Sequence, residues 1–313
     1  MHRRHFLRHS IAASLTAASA SCAAERTSDP KPVHDLRPPV ERAPGEPRAI
    51  SRSLKIGMVS EGGTILEKFQ LLADIGFEGV ELDSPSDLDL SEVLEAMDAT
   101  GLQVPGVVDS VHWYDTLGDP DPEVRARGRA GLETALRDAH RVGASTVLLV
   151  PAVVNQGISY RDAYTRSQEE IRRVLPLAEE LEVTIAFENV WNNFLLSPLE
   201  AARYVDEFES TRVGWYLDVG NLVLFGWPEH WIEALGPRIA KLDIKDYSRK
   251  RCDNEGRWKG FGVKIGEGDA GWERVMAAID RVGYTGWASA EVGGGGRDRL
   301  AEIFERMTAA VQA

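Results

Sequence analysis

Residues 75–82 read "IGFEGVEL" and residues 282–289 read "VGYTGWAS". Each stretch closes a helical pattern with a glycine, adds an aromatic residue, and enters an extended run through a second glycine. A glycine just past a helix end takes the left-handed conformation that turns the chain back towards a sheet. The same junction near both ends of the chain predicts repeated β-then-α units between them.

Outward from these junctions, eight short apolar runs read as strands: Leu54–Val59, Gly79–Leu82, Val104–Val108, Thr146–Val150, Val183–Phe187, Val213–Leu217, Ile239–Ile244 and Trp287–Ala290. Most are rich in β-branched or aromatic residues. Amphipathic helical patterns alternate with them over Ile65–Ile75, Leu90–Thr100, Pro122–Val142, Arg161–Leu181, Pro198–Phe208, Trp227–Leu235 and Trp272–Val282, and a last one spans Arg297–Val311. Eight such units predict an α/β fold, a single-domain (β/α)8 barrel. The competing arrangement, an open doubly wound sheet, expects a glycine-rich phosphate loop after its first strand, and none is there. "GFGVKIGEG" (260–268) has the wrong spacing and precedes a helix, so it reads as loop.

The chain has 313 residues, and its first part is of another kind. Arg3-Arg4 precede a short, weakly apolar stretch from Ile11 to Ala20, and Ala18-Ser19-Ala20 suits a signal peptidase. Residues 1–24 are therefore expected to be a twin-arginine export signal, with a periplasmic destination. Cys22 offers an alternative as a lipid-attachment cysteine. The stretch is too short to span a bilayer. Residues 25–52 carry six prolines among charges and few large apolar residues, which predicts a disordered linker. Residues 53–313 then form the barrel, at the usual size for that fold.

A net charge of −13 argues against nucleic acid or an anionic membrane as partner. Cys252 is the only cysteine in the domain, so no internal disulfide forms there. The oligomeric state is left open, a homo-oligomer included.

In a barrel of this kind the C-terminal ends of the strands form one rim, where chemistry is done. Strand five runs into Glu188, strand six ("VGWYLDVGN") into Asp218, strand seven ("KLDIKD") carries Asp243 and Lys245, and strand eight ("WASAEV") ends at Glu291. Four acids at one end of four consecutive strands repel one another unless a cation joins them. Lys245 can neutralise one. The set predicts a divalent metal held by Glu188, Asp218, Asp243 and Glu291, and all-oxygen ligation favours Mn²⁺ or Mg²⁺ over Zn²⁺. His112 and Trp113, in "SVHWY" after strand three, are candidate sugar-pocket residues. Trp191 and Asn192, just past Glu188, are candidates for an aromatic wall and a hydroxyl-binding amide. Glu81 and Asp83 read as structural.

The run "FENVWNN … YLDVGN … LDIKD … GEGDAGW … SAEV" resembles the sugar phosphate isomerase/epimerase family, the xylose isomerase-like barrels, over essentially all of 54–311. The resemblance implies a divalent metal bound by acids on strands five, six and eight, positions that Glu188, Asp218 and Glu291 fill. It implies a histidine on strand seven, where this chain has Asp243, and often another three residues after the strand-six acid, where it has Asn221. It also implies that Glu188 and Glu291 move the proton beside a carbonyl through an enediolate, and that Arg249 meets the substrate; Asn221 and Lys245 are further substrate-binding candidates.

The expected function is a metal-dependent isomerase or epimerase of a ketose or keto-sugar. The alternatives are a lyase or epimerase of 3-keto-glycosides using the same enolate chemistry, and a sugar-binding barrel without catalysis. An endonuclease IV-like DNA repair enzyme needs several histidine ligands and a basic face, and both are missing.

Overall fold

A computed structural model describes residues 33–43 and 45–313. The proposed export signal, Cys22 and the start of the linker lie outside the described residues.

Eight parallel strands form one sheet in the order β1-β8-β7-β6-β5-β4-β3-β2. They are β1 (Ile50–Leu54), β2 (Leu82–Ser84), β3 (Gly106–Asp109), β4 (Thr146–Leu149), β5 (Thr184–Glu188), β6 (Val213–Asp218), β7 (Ile239–Ile244) and β8 (Gly286–Ala290). The ends of the order meet through a parallel bridge between Lys55 and Glu81, where Glu81 N–H donates to Leu54 O and Ile56 N–H to Glu81 O, each at 2.8 Å. The sheet is thereby a closed (β/α)8 barrel.

Around it lie α1 (Ile65–Ile75), α2 (Leu90–Thr100), α3 (Pro122–Arg141), α4 (Tyr160–Glu180), α5 (Pro198–Asp206), the short α6 (Val219–Val223), α7 (Pro228–Leu235), the short α8 (Arg249–Glu255), α9 (Trp272–Arg281) and α10 (Arg297–Gln312). Their starts follow from local chemistry. Thr64 and Glu67 form a reciprocal cap on α1, Asp121 caps α3 ahead of Pro122, and Ser197 caps α5 ahead of Pro198. Gly76 closes α1 at φ 114° and Gly283 follows α9 at φ 68°, the left-handed turns expected from the repeated junction.

Apolar side chains fill the layer between sheet and helices, with Phe69, Phe187, Tyr204 and Trp215 wholly buried. Inside the barrel the packing is partly polar. Leu148, Ala186 and Tyr216 share that space with the fully buried Glu81, Lys241, Ser53 and Ser289.

Two expectations need correction. The first strand is Ile50–Leu54, and Ile56–Met58 is a single 3₁₀ turn. Polar residues hide this strand in the sequence. Ser53 turns inward to Ser289 Oγ at 2.6 Å, and Arg52 pairs outside with Glu78 at 2.6 Å. The boundary between residues 52 and 53 therefore cuts through β1. The described part of the proposed linker is not loose either. His34 Nε2 donates to Val213 O at 2.9 Å, Arg37 to Pro237 O at 3.1 Å, and Val40 N–H to Asp280 O at 2.8 Å. Arg48 is clamped on Asp280 at 2.9 Å and on Ala313 O at 2.7 Å. Carbonyls at the starting ends of β6 and β7 are free to accept such bonds, so a proline-rich segment finds partners across the barrel's lower face without burying large apolar residues.

Candidate metal centre

Glu188, Asp218, Asp243 and Glu291 converge at the rim, with one oxygen of each within 4.8 Å of all the others. Strand pairing brings them together: Asp218 stands opposite Asp243 in the β6–β7 register, and Glu188 opposite Tyr216 between β5 and β6. Asp218 and Asp243 are completely buried, Glu188 is 7% exposed, and about a third of the Glu291 side chain is open (36%). A cavity of about 720 Å³ opens beside Lys245 and Glu291.

Two lysines reach into the quartet. Lys245 Nζ lies 2.7 Å from Asp218 Oδ2 and also meets Glu291 Oε2. Lys55 Nζ lies 3.1 Å from Asp243 Oδ2 and 2.6 Å from Glu81 Oε2, over the Tyr216 ring. Below, Glu81 Oε1 takes Lys241 Nζ and the Tyr216 hydroxyl. Five carboxylates thus face three ammonium groups, a formal surplus of two negative charges.

Burial, then the charges of Glu291 and Asp218, pushes Glu188 well above the usual carboxylate range. Asp243 is likewise raised, by burial against the opposing pull of Lys55, and Asp218 is pushed up to about 6 by burial against Lys245. For Glu291 burial acts upward too, but Lys245 and Lys55 together outweigh it and hold it below the usual range. Asp243 Oδ1 is buried and has no partner, while the buried Asp243 Oδ2 and Asp218 Oδ2 are met only by the Lys55 and Lys245 ammonium groups. An unpartnered buried carboxylate oxygen, four converging acids and a surplus of two charges fit a divalent cation, whose charge would offset that surplus.

The other candidates divide. Asn221 N–H donates to Asp218 Oδ1 at 2.8 Å, and its amide to Asn189 O at 3.0 Å and Glu188 Oε1 at 3.4 Å, so it orients the two acids. Trp191 donates to Asn221 O at 2.9 Å and heads an aromatic cluster with Tyr247, Trp258 and Phe261, over which Arg257 stacks at 4.8 Å. His112 is buried, and Trp113 stands edge-on to it, half exposed.

Two further candidates bond main-chain groups. The Asn192 amide donates to Ala152 O at 2.8 Å and its oxygen accepts from Phe194 N–H, which folds the loop back on itself. Arg249 donates to Val223 O at 2.9 Å and Gly226 O at 2.7 Å, tying down the segment after α6. Both side chains bond main-chain carbonyls that would otherwise go unpaired.

Sequence reasoning missed Lys55 and Lys241. Lys55 follows β1, whose serines and arginine hide it as a strand, and Lys241 reads as the polar start of a strand. Asp246 was also passed over. It accepts from Tyr247, Gly266, Gly268 and Ala270 N–H and from Trp272 Nε1, at 2.9 to 3.2 Å, and so folds the "GEGDAGW" loop. A side chain on Gly268 would come within 2.2 Å of that carboxylate, which explains the glycine.

The family model described as xylose isomerase-like TIM barrel matches residues 69–309. The chain belongs to that family. Among its relatives, the L-ribulose-5-phosphate 3-epimerase of Escherichia coli O1:K1 is 26% identical over 255 residues, covering 76% of this chain and 86% of the relative. Solved structures share the fold. A D-tagatose 3-epimerase-like protein superposes with a TM-score of 0.71 at 17% identity, covering 84% of this chain and 97% of its own. The 3-keto-D-glucoside 4-epimerase of E. coli reaches 0.70 at 17% identity, covering 84% and 100%. IolI, solved with a bound zinc atom, reaches 0.67 at 16% identity, covering 84% and 98%.

Proposed function

We propose that this member of the family is an isomerase: a divalent-metal-dependent sugar epimerase that exchanges a proton on a carbon beside a carbonyl. The observation that carries this is the convergence of Glu188, Asp218, Asp243 and Glu291, with Asp243 Oδ1 buried and unpartnered. These residues would hold the cation. When bound, it supplies positive charge to the substrate oxygen that gains electron density as the carbon–hydrogen bond breaks.

The chain's own groups do the rest. Glu188 and Glu291 stand on different strands of the rim, and each has an oxygen to present to a sugar over the quartet. One takes the proton from the carbon as a carboxylate, and the other returns one to it. Asn221 and Asn189 keep Glu188 and Asp218 in register. Lys245, between Asp218 and Glu291, steadies the charge on the Glu291 side. Oxygen ligation, with Asp243 on β7, favours Mn²⁺ or Mg²⁺. An exported chain would meet unphosphorylated sugars, which points to a free ketose or a keto-glycoside.

One observation favours the 3-keto-glycoside reading within this class. A second cavity, about 320 Å³, borders Asn221 and Trp191 and is lined by Phe225, Leu222 and Arg257. Its aromatic walls suit the ring or aglycone of a glycoside.

Solvent deuterium wash-in with Mn²⁺, against a panel of ketoses and 3-keto-glycosides, tests the reading. Exchange at a carbon beside the carbonyl, with inverted product, is expected. Purified protein holding no divalent ion and exchanging no proton would favour a sugar-binding barrel instead.

A further inference from the structure

His112 lies in the turn after β3, outside the acid quartet, and is 5% exposed. Its Nδ1 is the partner of the Val150 backbone N–H at 3.3 Å. A backbone N–H can only donate, so Nδ1 accepts and carries no proton. The neutral ring must then hold its proton on Nε2. Nothing among the described residues accepts from that Nε2.

The ring also stays neutral. Burial pushes its pKa down to about 3; Lys55 adds to the shift and Glu291 opposes it. The ring stands three residues past the end of β3 and bonds the N–H of Val150, the residue just past β4. His112 therefore stands on the same strand-end rim as the four acids, on the β3–β4 side. The Nε2 atom is not one of the wholly buried unpaired atoms, so this N–H opens out of the packing and is free to meet a ligand.

We propose that His112 Nε2–H donates a hydrogen bond to an uncharged oxygen, a ketone carbonyl or a hydroxyl, of the sugar held over the four acids. This rests on the sugar-epimerase reading. The donor is neutral and its tautomer is fixed by Val150, so it positions the oxygen and transfers no proton. A single neutral donor selects for hydroxyl and carbonyl oxygens and offers no charge to a phosphate.

Two variants separate this role from mere support of the loop. Gln keeps an N–H near the Nε2 position, while Asn keeps an acceptor near Nδ1 for Val150. His112→Asn is expected to lose about tenfold in kcat/KM, the loss appearing mainly in KM, with His112→Gln recovering most of it. The reverse order, with Asn active and Gln inactive and less stable, would show that His112 only props up Val150 and would overturn the proposal. So would full activity in both variants.

A second measurement does not depend on turnover. Two-bond ¹H–¹⁵N spectra of protein with labelled histidine, assigned by the signal lost in His112→Asn, are expected to show an Nε2–H ring unchanged from pH 5 to 8. The Nε2 proton should shift on adding D-tagatose or a 3-keto-glucoside. An Nδ1–H tautomer, a titrating ring, or no shift with a sugar that the enzyme turns over would each sink the assignment. A shift on sugar binding without any proton exchange in wild type would instead sink the epimerase reading and leave His112 in place.

Discussion

Glu188 and Glu291 carry the proposed chemistry, and their environments differ. Glu188 is nearly closed off, while Glu291 is partly open and paired with Lys245. Gln at either position can still ligate through its carbonyl oxygen but cannot accept a proton. Metal-replete Glu188→Gln and Glu291→Gln are therefore expected to keep appreciable Mn²⁺ yet lose about 10²–10⁴-fold in turnover, the usual worth of general acid–base catalysis. Steady-state rates beside metal content by atomic absorption check this; loss in strict proportion to metal would leave the glutamates as ligands alone. Asp243 tests the choice of metal. Its carboxylate oxygens are hard donors, Oδ1 has no partner, and Lys55 offsets its charge. Asp243→His substitutes a borderline nitrogen, so the Zn²⁺-to-Mn²⁺ affinity ratio should rise. Calorimetric titration with the two metals reads that ratio, and an unchanged value would remove Asp243 from the ligand set.

At the scale of elements, the loop from β7 to α9 depends on one carboxylate. Asp246 gathers four backbone N–H groups and the Trp272 indole, and the Lys245 beside it reaches the acids. Asp246→Ala leaves several buried donors without an acceptor, each costing about 1–3 kcal/mol. A loss of about 3 kcal/mol or more in urea unfolding is expected, together with weaker metal binding as Lys245 loses its footing. Chemical denaturation and Mn²⁺ titration of the same variant measure the two effects; an unaltered midpoint would show that the loop is held elsewhere.

For the whole molecule, stability should depend on pH through a buried acid outside the acid quartet. Asp109, at the end of β3, is 1% exposed and takes one backbone bond from Val111 N–H at 3.1 Å. Burial, with a smaller push from Asp115, raises its pKa to about 7. The folded state thus prefers the protonated form. This preference contributes in full below about pH 4, where the unfolded acid is also protonated, and is lost as pH rises towards 7. The change is at most about 4 kcal/mol, since each pKa unit is worth 1.36 kcal/mol. Asp109→Asn should flatten the fall in stability between about pH 4 and 7 and be more stable than wild type at pH 8. Urea midpoints across that range decide it, and parallel curves for the two proteins would count against the buried acid.

The same scale separates what the sequence decided from what needed the folded chain. Strand and helix periodicity, with glycines such as Gly76 closing helices, is a local property and made the barrel legible. Parallel strands share one direction, so acids ending β5 to β8 had to meet at one rim. β1 was misplaced because its inward side chain is a serine, made acceptable by Ser289 across the barrel. Lys55, Glu81 and Lys241 form their interior network, and Asn192 and Arg249 turn to loop carbonyls, through partners distant in sequence. Where a side chain spends its hydrogen bonds depends on which backbone groups the fold leaves unpaired nearby, and only the tertiary structure brings those groups together.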